Sequence, residues 1–212
     1  MCCERGQHFP SRQNRYNPLQ QLKHPQSSIY RKPFMEHAHS TEELFDVVNE
    51  ADEVIDVLPR SVVHARKLWH RAVHVLVFNS AGELLIHQRS AQKDEEPLTW
   101  NSSCSGHVSA GEDYDLAARR ELQEELGLDT PIETIGQLPA SPKLAYEHTR
   151  VYRTVTDQPP VFDPGEIAQG CYRTLPEIMA DVAARPSVYS QPFRTILAWY
   201  QAEHLNKPSP KI

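Results

Sequence analysis

Three glutamates carry the clearest chemical signal in this chain. Within GHVSAGEDYDLAARRELQEELGL, residues 106–128, Glu121, Glu124 and Glu125 stand at i, i+3 and i+4. On a helix all three project from one face. Like charges at that spacing repel, so the face is costly unless something positive occupies it. A hard divalent cation is the natural occupant, because Mg²⁺ takes carboxylate, water and phosphate oxygens. Taken alone, three glutamates would suit an ordinary solvated acidic helix with Arg119 and Arg120 as neighbours. The surrounding residues argue otherwise: Gly106, Glu112, Arg120, Leu122, Gly127 and Leu128 recur at fixed intervals around the trio.

Helices and strands must hold these groups in place. The glutamate helix is expected from about Asp113 to Gly127, a good left-handed C-cap. Ala118, Leu122 and Leu126 form its i, i+4, i+8 apolar stripe beside the glutamates, so one face packs while its neighbour holds metal. Upstream, Glu43–Asn49 and Glu53–Leu58 bracket a turn and suggest a hairpin. Ser61–Trp69 reads as a helical turn or loop. Arg71–Asn79 reads as a buried strand, with Glu83–Arg89 returning as its partner across Asn79-Ser80-Ala81-Gly82. A polar loop follows over Ser90–Trp100. Downstream, Ile132–Leu138 and Glu147–Val155 read as strands and residues 156–164 as a Pro-rich connection. Leu175–Ala184 and Pro192–Leu205 read as closing helices, with Trp199 and Leu205 packing inward. This order predicts an α/β fold, an α/β/α sandwich around a mixed sheet. The domain is expected over 41–206, with a disordered extension at 1–40 and a flexible tail at 207–212. Met35 is a plausible start, since the ordered pattern begins shortly after it.

Composition narrows the class. A chain of 212 residues that is 39% hydrophobic supports one domain with a sizeable core. No apolar run approaches the roughly 20 residues that span a bilayer, and no secretory pattern opens the chain. The cysteines Cys2, Cys3, Cys104 and Cys171 show neither metal-knuckle nor disulfide spacing. A cytoplasmic protein without a membrane partner is expected. The net charge of −6 is uneven: residues 1–34 hold six Lys/Arg against one acid, leaving 16 basic and 27 acidic side chains beyond them. Such a body gives no reason to expect a nucleic-acid polymer as partner.

The spacing in 106–128 resembles the signature of the Nudix (MutT-like) hydrolases, G-x5-E-x7-R-E-U-x-E-E-x-G-U, where U is bulky and aliphatic. Every specified position is filled. The resemblance implies the Nudix fold, with the motif in a loop–helix–loop, and cleavage of a small-molecule diphosphate, usually a nucleoside diphosphate derivative. It implies that Glu121, Glu124 and Glu125 hold Mg²⁺ or Mn²⁺, with the Gly106 carbonyl as a further ligand. The metal would neutralise diphosphate oxygens and acidify a bound water, and a carboxylate would take that water's proton. Glu121 is one candidate for this base; Glu166, in the loop DPGEIAQG, is another. Glu112 and Arg120 read as a structural ion pair orienting the helix.

The stretch from His70 to Glu112 is similar to type I isopentenyl diphosphate isomerases, which share that fold. HRAVHVLVFN, ELLIHQRSAQK and TWNSSCSGHVSAGE parallel the isomerase strands and catalytic loop. Arg89 and Lys93 fall where the isomerases bind diphosphate, a task suited to a fork and a point charge; surface roles are the alternative. His70 and His107 align with isomerase metal-binding histidines, although a structural role at a strand edge is the plainer expectation. Glu147 aligns with an active-site glutamate or is simply a polar strand residue. Two departures count against isomerisation: Ser105 stands where the isomerases need a cysteine, and Ala145 where they carry another metal glutamate. Cys104 is adjacent, but a one-residue shift on an extended segment points it to the opposite side, so it reads as a packed residue. His64, His74, His87, His148 and His204 show no ligand spacing, and Trp69 and Trp100 are expected in the core. The leading expectation is a metal-dependent hydrolase. A diphosphate isomerase and a binding protein without turnover are the alternatives, and nothing speaks to oligomeric state.

Overall fold

The computed structural model describes residues 42–205. The extension at 1–40, the start at Met35 and the tail at 207–212 lie outside the described residues. Within them the order is β1 (Leu44–Val48), β2 (Val54–Pro59), α1 (Arg60–Arg66), β3 (His70–Phe78), β4 (Leu84–Arg89), β5 (Trp100–Asn101), β6 (Cys104–His107) and α2 (Tyr114–Leu126). There follow β7 (Glu133–Leu138), β8 (Glu147–Val155), β9 (Ile167–Arg173), α3 (Leu175–Ala184) and α4 (Gln191–Tyr200), which ends in a π-turn at Gln201–Leu205.

β1 and β2 form a separate antiparallel hairpin. The remaining strands form one mixed sheet in the order β5-β4-β3-β8-β7, with β6 also on β3 and β9 also on β4. β3 and β8 run parallel in full register from His70↔Glu147 to Phe78↔Val155. Alternation on β3 builds two cores. Val73, Val75 and Val77 pack with Leu85, Tyr152 and the α2 residues Ala117, Ala118, Leu122 and Leu126. Leu76 and Phe78 face the other way, against Ile86, Val151, Ile178, Phe193 and Ile196 from β4, β8, α3 and α4. A period of two on the strand thus feeds a helix layer on each side. This is the mixed sheet between helices that the sequence predicts.

α2 owes its bounds to its caps. The Asp113 side chain accepts from the Leu116 amide at 2.9 Å, and Gly127 takes φ 63° while its own amide donates to Gln123. A β-carbon there would strain the left-handed turn. Glycine serves close approach at 136, where a β-carbon would overlap the Trp199 ring.

β3 and β4 are antiparallel partners as expected, though only through Phe78↔Leu84, while β6 and β8 flank β3 and β9 runs along β4. Two expectations need correction. The sequence suggests no strand where β9 runs, at Ile167–Arg173. β9 carries Gly170 together with the polar Gln169 and charged Arg173, which hides the apolar alternation that marks a strand. Leu205 is 47% exposed rather than packed inward, whereas Trp199 does lie against the second core.

Candidate active site

Between α2, the 90–99 loop and the N-terminus of α4 the sheet opens into a cleft of about 900 Å³. Glu121, Glu124 and Glu125 form one wall, and Gly106 and Ser105 adjoin it from β6. Arg120 organises this wall. Its guanidinium holds both oxygens of Glu112 at 2.9 and 3.0 Å, reaches Glu121 at 2.7 Å and Glu124 at 3.1 Å, and donates to the His107 carbonyl at 3.0 Å. Glu125 accepts from the Ser105 amide at 3.2 Å. A β-carbon at residue 106 would overlap the Glu121 carboxylate, so glycine is what lets that carboxylate lie against β6.

Burial sets the electrostatics of the wall. It pushes Glu121 up to about 7, against the pull of Arg120, and Glu125 up to about 8, with Glu121 adding repulsion. Glu124 points outward and is 60% exposed. Two carboxylates held in low dielectric with few donors are groups that a cation would re-ionise. The wall therefore fits a hard divalent ion at Glu121 and Glu125, with Glu124 able to swing in.

Opposite the wall lie the cationic groups. The Arg89 guanidinium donates to the Glu95 carbonyl at 3.1 and 2.9 Å, and Lys93 pairs with Glu166. The loop carrying Lys93 is tied to α1 by Arg60–Asp94 at 3.1 Å and to α4 by Glu96, which accepts from the Gln191 amide at 2.9 Å. All of Arg89, Lys93, Glu166 and Glu147 line the cleft.

A second cluster brings together His70 and His107, which the isomerase resemblance paired, and adds a residue that it did not. His64 from α1 joins His70 and His107, and one ring nitrogen of each lies within 4.8 Å of the others. The expectation that His64 has no ligand partners is thereby corrected: it and the other two converge only because α1, β3 and β6 meet here. Glu147 closes the corner, its Oε1 lying 3.2 Å from His107 Nε2 and 3.7 Å from His70 Nε2. His70 Nδ1 donates to the Leu68 carbonyl at 2.9 Å, leaving the lone pair of the neutral ring on Nε2. Nε2 of all three histidines is buried without a hydrogen-bond partner among the described residues. Burial lowers His70 to about 4 and His107 to about 3, and raises Glu147 to about 7. Ala145 and Tyr146, just before Glu147, both take positive φ, 53° and 67°. For residues with a β-carbon this costs about 1 kcal/mol each, spent on the turn that delivers Glu147 to the corner. Imidazoles with one carboxylate suit zinc or another first-row ion better than Mg²⁺.

Ser105 faces the cleft, and Cys104 is fully buried on the opposite face, where burial raises its thiol above the ordinary range. Trp100 packs at the second core, and Trp69 lies edge-on to His148. Among the described residues no helix is long and apolar enough to cross a membrane.

Residues 68–192 match the family profile described as NUDIX domain. An isopentenyl-diphosphate Delta-isomerase of Nocardia farcinica is 33% identical over 68% of this chain and 87% of its own length. An uncharacterised Nudix hydrolase of Yersinia pestis is 32% identical over 65% of this chain and 76% of its own length. The crystal structure of DR0079 from Deinococcus radiodurans superposes with a TM-score of 0.66 at 29% identity, covering 76% of this chain and 99% of that one.

Proposed function

Given that this chain belongs to the Nudix family, we propose that it hydrolyses the diphosphate linkage of an organic diphosphate, of the nucleoside diphosphate class, with help from Mg²⁺ or Mn²⁺. The observation that carries the reading is the buried Glu125 and partly buried Glu121 lining one cleft with Arg89 and Lys93. Glu121, Glu124 and Glu125 would hold the ion, with the Gly106 carbonyl adjacent. A divalent ion there supplies charge neutralisation at the phosphates and lowers the pKa of water.

The chain's own groups do the rest. Arg120 keeps Glu121 in place and, through Glu112, ties α2 to the loop before it. Arg89 and Lys93 receive the phosphate oxygens. Glu166 accepts the proton of the attacking water: an incoming phosphate competes for Lys93, and the released carboxylate faces the cleft. Glu121 is the less suitable base, because Arg120 already holds it and Gly106 packs against it.

The isomerase reading is weaker. Ser105 offers no thiol, and Ala145 offers no carboxylate beside Glu147. One observation does favour a shared feature with isomerases, the convergence of His64, His70 and His107 on Glu147. On this ground a second, nitrogen-rich metal centre belongs to the proposal.

The test is a panel of nucleotide sugars, dinucleoside polyphosphates and isopentenyl diphosphate incubated with Mg²⁺ or Mn²⁺, with products identified by mass. Release of phosphate-terminated fragments, lost in Glu125→Gln with the fold retained, supports hydrolysis. Conversion of isopentenyl diphosphate to its isomer, or ligand binding with no turnover anywhere on the panel, defeats it.

A further inference from the structure

We infer that His74 and Ser105 form a hydroxyl-reading pair on the floor of the cleft, selecting diphosphates whose organic group carries a hydroxyl near the diphosphate. The inference rests on the proposed reading of the cleft as a diphosphate site and names the substrate feature read there. His74 on β3 and Ser105 on β6 are direct register partners in an antiparallel ladder, and both line the cleft. Residues so paired have β-carbons about 5 Å apart, so one small group can touch both side chains.

Hydrogen bonds behind the floor fix what each presents. The Ser102 hydroxyl donates to the Cys104 carbonyl at 3.3 Å, so it can only accept from His74 Nδ1, 2.7 Å away. His74 is 3% exposed, and burial keeps its ring neutral. Its lone pair therefore sits on Nε2, on a residue that lines the cleft. His74 offers an acceptor.

Ser105 is fixed from the other side. Ser190 Oγ, which caps α4, accepts from the Phe193 amide at 3.3 Å and donates to Asn101 Oδ1 at 2.9 Å. That sets the Asn101 amide, whose Nδ2 donates to Ser105 Oγ at 2.9 Å. The Ser105 hydroxyl proton has no acceptor among the described residues. Ser105 offers a donor.

A hydroxyl is the group that answers both, giving its proton to Nε2 and taking one from Ser105. A phosphate or carbonyl oxygen would set lone pair against lone pair at His74. An alkyl chain would leave both groups unpaired, the situation that a site built for a hydroxyl penalises most. Because the Ser105 amide also holds Glu125, the pair lies beside the carboxylate wall. The hydroxyl it reads belongs to the sugar joined to the diphosphate, not to a distant base.

Equilibrium binding of uncleavable, methylene-bridged analogues tests this without turnover. The probes are the ADP-ribose analogue, its forms lacking one hydroxyl of either ribose, and the isopentenyl diphosphate analogue as a hydroxyl-free probe. The wild type should bind the full analogue about tenfold or more tighter than at least one deoxy form and than the isopentenyl analogue. Ser105→Ala and His74→Phe should each shrink that gap to about twofold; if His74→Phe fails to fold, Ser105→Ala decides alone. A gap that survives in the variants, no loss with any deoxy form, or equal or tighter binding of the isopentenyl analogue would overturn the inference. A clear gap in a protein that cleaves no diphosphate would instead uphold the pair and remove hydrolysis.

Discussion

The glutamate wall and the histidine corner gather metal-binding groups in opposite ways. The wall draws its carboxylates from one helix, where i, i+3 and i+4 positions share a face whatever the rest of the chain does. They repel, and Arg120 keeps them apart and occupied. The corner draws His64, His70, His107 and Glu147 from α1, β3, β6 and β8. Burial keeps His70 and His107 neutral, and their rings stack beside the Glu147 carboxylate. We read one site as buried carboxylates that a hard cation would re-ionise and the other as imidazoles with one carboxylate, suited to a softer ion.

The sharpest way to break this comparison is Glu125→Gln. It should lower metal-dependent diphosphate hydrolysis by about 10³-fold or more, since several kcal/mol of transition-state stabilisation depend on the ion. Steady-state rates at saturating Mg²⁺ with an unchanged circular dichroism spectrum would measure it, and a loss under about tenfold would remove the wall from the chemistry. Arg120→Met comes next. Leaving Glu112 and Glu121 without their partner should cost about 1–3 kcal/mol, reduced from the fully buried case because Arg120 is 30% exposed. Urea unfolding reads this directly, and no shift in midpoint would mean that the wall stands without its clamp.

The corner answers to a different assay. His107→Ala, and separately His70→Ala, should abolish stoichiometric binding of zinc or manganese at this cluster, by metal analysis after gel filtration. Mg²⁺-dependent hydrolysis should fall less than about tenfold, a smaller loss than at the wall. Equal losses in both assays would merge the two sites into one.

The smallest expected effect is a pH trend. Glu121 and Glu125 have folded-state pKa values raised to about 7 and about 8 from an ordinary 4.5. Between those values the folded chain binds more protons than the unfolded one, so stability falls as pH rises. Above the ordinary histidine range, where the buried histidines no longer add an opposite slope, the metal-free protein should therefore melt lower at pH 8.5 than at pH 7, by a few degrees. Saturating Mg²⁺ should flatten the trend, because it binds the ionised wall. A metal-free melting temperature that rises with pH over this window would contradict the burial of the two carboxylates.

Legibility followed the range of the interactions. Asp113 and Gly127 mark the ends of α2, and its buried stripe of Ala118, Leu122 and Leu126 is where the i, i+4, i+8 pattern puts it. β8 over Glu147–Val155 is also plain from its residues. β9 is hard to see in the sequence because an edge-like strand with Gly170 shows no alternation, and β4 pairs with β9 along its length as well as with its sequence neighbour β3. His64 and His74 were set aside because neither has a ligand or partner at a telling spacing.

By itself the sequence determined the carboxylate helix, its caps and the reaction class that its motif resembles, because helical geometry converts spacing into a shared face within a few residues. Only the tertiary structure decided which histidines meet Glu147, that Ser105 stands opposite His74, and that Lys93 holds Glu166. Those contacts depend on strand order and register, which are set by packing the two faces of β3 against helices far away in sequence.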